Sequence, residues 1–314
     1  MAMSPAWAHD DPLQIAPSLG TFDAGLRAVG YLAVAIFVGG LLFTTLLWPA
    51  GAEDRRTRRV LGVACLLGGI SAVASIVVRG AYAVNGSLTG ALRPDVISAA
   101  LDTPLGRIFA AEAMLWLLAA IVLGAVLQRG AAATTSPGWR LAALAIGFSL
   151  IRTGAMTGHV EDGGWGSVIA IAHLTAIAAW LGGLTVLLAG LLPRRRADEL
   201  AEVVPRFSRW ALAAVVVIVG SGTVLAWRLL GSWQAFTETS YGYLLLAKIG
   251  LLALVLAAAH RSKNWVGTRL RLAVVLRGDA STVRPFVYSV AAETTLLLAV
   301  VTAASLLVTA TPGR

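Results

Sequence analysis

Apolar runs of about 18 to 24 residues recur along almost the whole sequence, and each can cross a hydrocarbon layer ~30 Å thick as an α-helix. This repetition constrains the chain more than any other feature, because backbone groups surrounded by lipid must be paired within their own segment. The spans read as Ala24 to Leu47, Val60 to Ala83, Gly106 to Leu127, Leu141 to Thr157, Ser167 to Leu192, Trp210 to Leu230, Tyr243 to Ala259 and Phe286 to Val308. The expected fold class is all-α, a polytopic membrane helix bundle with about eight transmembrane helices. Residues 1–23 read as an exterior N-terminal tail, 24–309 as the transmembrane domain and 310–314 as an exterior C-terminal tail. A composition that is 58% hydrophobic and 13% charged over 314 residues fits this class and no soluble one.

The net charge of +9 would raise the question of nucleic acid in a soluble chain. Here the cations mark topology. Arg55, Arg56, Arg58 and Arg59 lie between the first two spans, and Arg194, Arg195, Arg196, Arg206 and Arg209 between the fifth and sixth. Arg261, Lys263, Arg269, Arg271, Arg277 and Arg284 fill the last gap, with Arg129 and Arg140 in the third-to-fourth connection. The positive-inside rule makes these loops cytoplasmic. The opposite loops carry Asp95, Asp102, Glu161, Asp162 and Glu238 with few cations, so both termini are expected outside.

The tail holds Pro5, Pro12 and Pro17 and reads as extended. Ala6-Trp7-Ala8 before His9 resembles the end of a signal-peptidase site, and cleavage there would let the new amine and the His9 imidazole chelate a metal. Residues 94–101 in the longest exterior loop predict a short interfacial helix, and Asp198 to Arg209 an amphipathic segment lying along the membrane surface. Cys65 is the only cysteine, which excludes a disulfide framework or a CxxC pair and leaves a packing thiol. Gly39-Gly40, Gly68-Gly69, Gly182-Gly183 and Gly220-x-Gly222 read as close helix contacts without functional content.

Charges at membrane depth are costly, so each one is a site hypothesis. Arg79, Arg152, Arg228 and Lys248 fall within about two turns of exterior helix ends and are close enough to snorkel outward. Glu112 and Arg152, at similar depth on consecutive helices, read equally as an ion pair or as functional groups. Glu293, Glu112 and Lys248 are the charges assigned to translocation, against packing or snorkelling roles for each. The most specific local pattern is Met156-Thr157-Gly158-His159 followed by His173. Met156 and His159 share a face if the helix continues that far, and a short exterior loop sets the next helix beside it. A thioether and two imidazoles from Met156, His159 and His173 would then converge near the outer mouth, a donor set that suits copper in either oxidation state. The competing reading of each is a hydrogen-bonded or packing residue.

Several ordered motifs in the second half resemble the CopD/PcoD copper resistance family of bacterial inner-membrane proteins. They are Thr157-Gly158-His159, His173, Trp180-Leu181-Gly182-Gly183-Leu184, Arg206-Phe207-Ser208-Arg209, Ser221-Gly222-Thr223, Thr239-Ser240-Tyr241-Gly242, Leu246-Ala247-Lys248 and Glu293, within residues 151–312. The first four spans resemble the family in hydropathy and number. The resemblance implies a protein of the bacterial inner (plasma) membrane linked to copper handling, a permease that moves copper from the periplasm towards the cytoplasm. It also implies a small periplasmic copper-binding partner.

Two other readings compete. In one the protein is an electron carrier, His159 and His173, or one of them with another ligand, bind haem b, and exterior-side arginines pair with the propionates. In the other it delivers copper to a respiratory oxidase without transporting it. No nucleophile-base constellation or phosphate-binding loop is present, so no enzyme is expected, and nothing points to a nucleic-acid partner.

Overall fold

A computed structural model of the chain describes residues 17–84, 87–157, 164–194, 196–230 and 234–238, with isolated helical positions between 242 and 257. Among the described residues every regular element is helical. Helix α1 (Pro17–Leu46) opens on a proline, whose missing N–H is harmless in a first turn. It ends before Trp48-Pro49, because a residue preceding proline is pushed out of the helical region. The helix begins ahead of the apolar run at Ala24, so Asp23 lies inside it.

Helix α2 (Arg55–Ala83) starts with arginines, which the positive end of a helix disfavours. Asp54 offsets this by accepting from the Arg56 and Thr57 N–H groups at 3.0 and 2.9 Å. Two short helices follow, α3 (Leu88–Ala91) and α4 (Pro94–Asp102), the second being the one expected in the exterior loop. Helix α5 (Pro104–Arg129) is capped by Thr103, whose hydroxyl accepts from the Gly106 N–H at 3.0 Å. It stops at Gly130, where φ is 59°, a conformation glycine adopts without strain. Helices α6 (Ala131–Thr135) and α7 (Pro137–Met156) follow.

Helix α8 (Trp165–Val186) runs on through a π-helical turn, Leu187–Leu191, and a 3-10 turn, Leu192–Arg194. Helix α9 (Ala197–Leu230) carries Pro205 within it. The segment from Asp198 to Arg209 is thus the start of a continuous helix and not a separate surface element. A short α10 (Ala235–Glu238) is the last described element.

Five of these helices are long and apolar enough to cross a membrane: α1, α2, α5, α8 with its continuation to Arg194, and α9. The 20-residue α7 stands at the fourth expected span but outside that set. The seventh span is described only at isolated helical positions, and the eighth lies outside the described residues.

Contacts run from α1 to α2, on to α5, α7 and α8, and back to α1, so these five helices close on one another, and α9 packs on α8. Small residues permit the closest crossing. A Cβ on Gly39 of α1 would collide with the Ala178 carbonyl, and one on Gly182 of α8 would lie 2.6 Å from the Gly39 Cα. Phe37 of α1 meets Trp116 of α5 edge to face, with centroids 5.5 Å apart. Cys65 is buried and its thiol donates to the Trp116 carbonyl at 3.7 Å, the packing role expected of it.

The outward faces are equally apolar. Val63, Leu66, Ile70 and Val73 on α2, and Met114, Leu117, Leu118 and Ile121 on α5, are exposed at helical spacing. Such stripes suit lipid as the surrounding solvent.

Candidate functional site

His173 is the one histidine among the described residues, since His9, His159 and His260 lie outside them. At ~1.5 Å per residue it sits about 12 Å from the start of α8. The face it shares with Ala176 and Trp180 is buried, and His173 itself is only 8% exposed. Its imidazole is turned towards α9, where Nδ1 lies 2.8 Å from the Ser221 hydroxyl. A Cβ on Gly222 would stand 3.3 Å from the ring carbon Cε1, so the glycine is what lets the imidazole approach that helix so closely. Gly222 thus makes the close helix contact expected of it, and the neighbour it admits is the His173 ring. At Gly220 nothing among the described residues comes within 4 Å of a Cβ.

Met156 is the last residue of α7 and is half exposed. Thr157, which follows it, is held from two sides. Arg27 donates to its carbonyl at 3.3 Å and the Tyr31 hydroxyl lies 3.3 Å from its Oγ1, both groups coming from α1. The chain is thus anchored two residues before His159. Lys248 and Glu293 lie outside the described residues, so of the residues assigned to translocation only Glu112 is placed. Among the described residues no three His, Cys, Asp or Glu side chains come together as a metal cage.

Glu112 is buried on α5, about 12 Å from the start of its helix by the same rise per residue. Trp116 stands one turn on, and its indole N–H is buried without a hydrogen-bond partner among the described residues. Arg152 is exposed on α7, and no ion pair joins the two among the described residues. The pairing suggested by their similar depth is therefore not formed: Arg152 faces outward from its helix.

Arg79 does not snorkel freely. Its guanidinium donates to Asp23 at 2.6 Å and stacks over the Tyr82 ring, 5.0 Å from its centroid. The same Asp23 oxygen accepts from Arg27 at 3.2 Å. Asp23 is only 4% exposed, and a tail residue by hydropathy is thus the centre of a buried cluster joining α1, α2 and the end of α7. The signal that could have found it is the Asp23-Arg27 spacing of four residues, which puts both on one helix face. Ser221 was within reach as well, because it stands in the Ser221-Gly222-Thr223 motif.

Two family profiles cover most of the chain. One, described as Copper resistance protein D, matches residues 201–307, and the other, described as Copper resistance protein D-like, N-terminal domain, matches residues 19–168. The chain belongs to the copper resistance protein D family. The match to the N-terminal domain extends the likeness to the first four spans, which in sequence resembled the family in hydropathy and number. A relative in this copper group is the copper transport protein CutJ of Bacillus subtilis (strain 168), 32% identical over 255 residues, covering 77% of this chain and 47% of that protein. The chain therefore spans about half the length of the curated relative it matches. No solved structure matches it. With five apolar helices, this copper resistance protein D member is a multi-pass membrane protein, and the names in its family point to copper transport or resistance rather than catalysis.

Proposed function

We propose that the protein is a copper permease of the bacterial inner membrane, moving copper from the periplasm towards the cytoplasm, with both termini periplasmic. The observation that carries this reading is the buried His173, held by a polar partner inside a membrane-spanning helix. A polar side chain placed there is costly, and function is the default reason to keep it. His159 and Met156 complete the entry site with His173. The double anchoring of Thr157 by Arg27 and Tyr31 supports this by holding the approach to His159 against the bundle. Glu112, Lys248 and Glu293 serve the path beyond. A small periplasmic copper-binding protein would supply the ion. CutJ is named as a copper transport protein, and the likeness of the chain to it supports transport over delivery alone.

The haem reading needs exterior-side arginines for the propionates. Arg79, one of those arginines, is instead engaged with Asp23.

Copper uptake into sealed vesicles containing only this protein tests the proposal. Uptake that saturates and is lost in His173→Ala, with helix content and monodispersity kept, is the expected result. Copper bound to the purified protein without uptake would make it a delivery factor, and a Soret band in the purified protein would make it a haem carrier.

A further inference from the structure

Resting on the reading of His173 as a copper ligand, we propose that Ser221 is the positioning residue of that site: it holds the imidazole in the Nδ1–H tautomer and so presents the Nε2 lone pair to the metal. The argument is a count of protons. A serine hydroxyl has one hydrogen to donate and two lone pairs to accept with. Ser221 Oγ donates to the Val217 carbonyl, four residues back on its own helix, with the Ile218 carbonyl a longer second acceptor at 3.4 Å.

Its single hydrogen is therefore committed to α9, a back-bonding that serine adopts readily inside helices. Towards His173 Nδ1, 2.8 Å away, the oxygen has only lone pairs to offer. Nδ1 must then carry the proton, and in a neutral imidazole that leaves Nε2 as the nitrogen with the lone pair. Histidine ligands are commonly fixed in this manner, by a hydrogen bond at the nitrogen that does not bind the metal.

Two further features serve the same end. Ser221 sits on a different helix from His173, so the bond fixes the ring plane relative to the α8–α9 contact as well as the tautomer. Gly222 leaves room for the ring beside the hydroxyl, because a Cβ there would be 3.3 Å from Cε1 and would push the ring by a few tenths of an ångström.

The test uses the full chain, purified metal-free with 15N-labelled histidine. The chain has four histidines, so the His173 signals are assigned by their loss in His173→Gln. The wild type is expected to show His173 protonated on Nδ1. Ser221→Ala should move the proton to Nε2 and weaken Cu(I) binding, measured against a competing chelator, by about 10- to 100-fold. Ser221→Thr keeps a hydroxyl on the same turn and should restore both readouts.

A wild-type ring protonated on Nε2 overturns the proposal whatever the variants do. So does a monodisperse Ser221→Ala protein that binds copper as the wild type does while His173→Gln has lost it. Unchanged copper binding in His173→Gln would defeat the copper reading itself, and a tautomer that still depends on Ser221 would then assign the bond to packing.

Discussion

Asp23 accepts from two guanidinium groups while only 4% exposed, and its Oδ1 and the Arg79 Nε are buried without a hydrogen-bond partner among the described residues. Removing one member of such a group leaves uncompensated charge behind. Asp23→Ala should cost ~3–5 kcal/mol, read as a lowered midpoint of thermal unfolding in detergent. A midpoint equal to that of the wild type would show that Arg27 and Arg79 find other partners. At Gly222 the expected effect is local. A methyl group there must push the His173 ring by a few tenths of an ångström, so Gly222→Ala should weaken copper binding while circular dichroism stays unchanged. Met156 is half exposed at a helix end, and its thioether is the softest of the proposed donors. Met156→Ala should lower the preference for Cu(I) over Cu(II) and leave total stoichiometry intact, as metal analysis under reducing and oxidising conditions would report.

Among the elements, α1 and α8 have the closest approach, and it depends on glycine against backbone. The Ala178 carbonyl cannot rotate away as a side-chain tip could, so Gly39→Ala should separate the helices at a cost of about 1–3 kcal/mol. At Gly62 and Gly124 no described residue comes within 4 Å of a Cβ, and alanine there should be neutral or stabilising, since glycine is the poorer helix former by about 1 kcal/mol. Equal unfolding midpoints for Gly39→Ala and Gly124→Ala would show that the crossing is not tight. The far end of α8 is tied by charge to the start of α2 and to α9. Arg194, the last residue of the turns that continue α8, reaches Glu199 at 3.3 Å and Asp54 at 3.9 Å and lies over the Trp48 ring. Asp54 thus both caps α2 and receives Arg194, a joint duty that spacing along one helix could not reveal.

For the whole molecule, loop charge predicts that the Glu161 loop faces the periplasm and the start of α9 the cytoplasm. Replacing Cys65 by serine leaves a chain without cysteine, into which Glu161→Cys or Asp198→Cys can be introduced singly. An impermeant thiol reagent should label the first in intact cells and spare the second, and the reverse pattern would invert the bundle. Transport direction has a matching test at Glu293, displaced towards the cytoplasmic end in the sequence reading. Glu293→Gln should keep copper bound at the outer site and lose vesicle uptake, whereas full uptake would assign the carboxylate to packing.

Hydropathy by itself determined the helical class and the apolar spans within α1, α2, α5, α8 and α9, because lipid demands long apolar runs, and ordered motifs determined the family, because they survive in linear order. Hydropathy also marked His173 as costly at its depth. Only the tertiary structure decided that His173 faces Ser221 and Gly222, that Arg79 belongs to Asp23, and that Glu112 does not meet Arg152. Each of these depends on how one helix is rotated against another. Rotation is set by small-residue contacts such as Gly39 on Gly182, and the periodicity of a single helix does not record which neighbour its polar residues will meet.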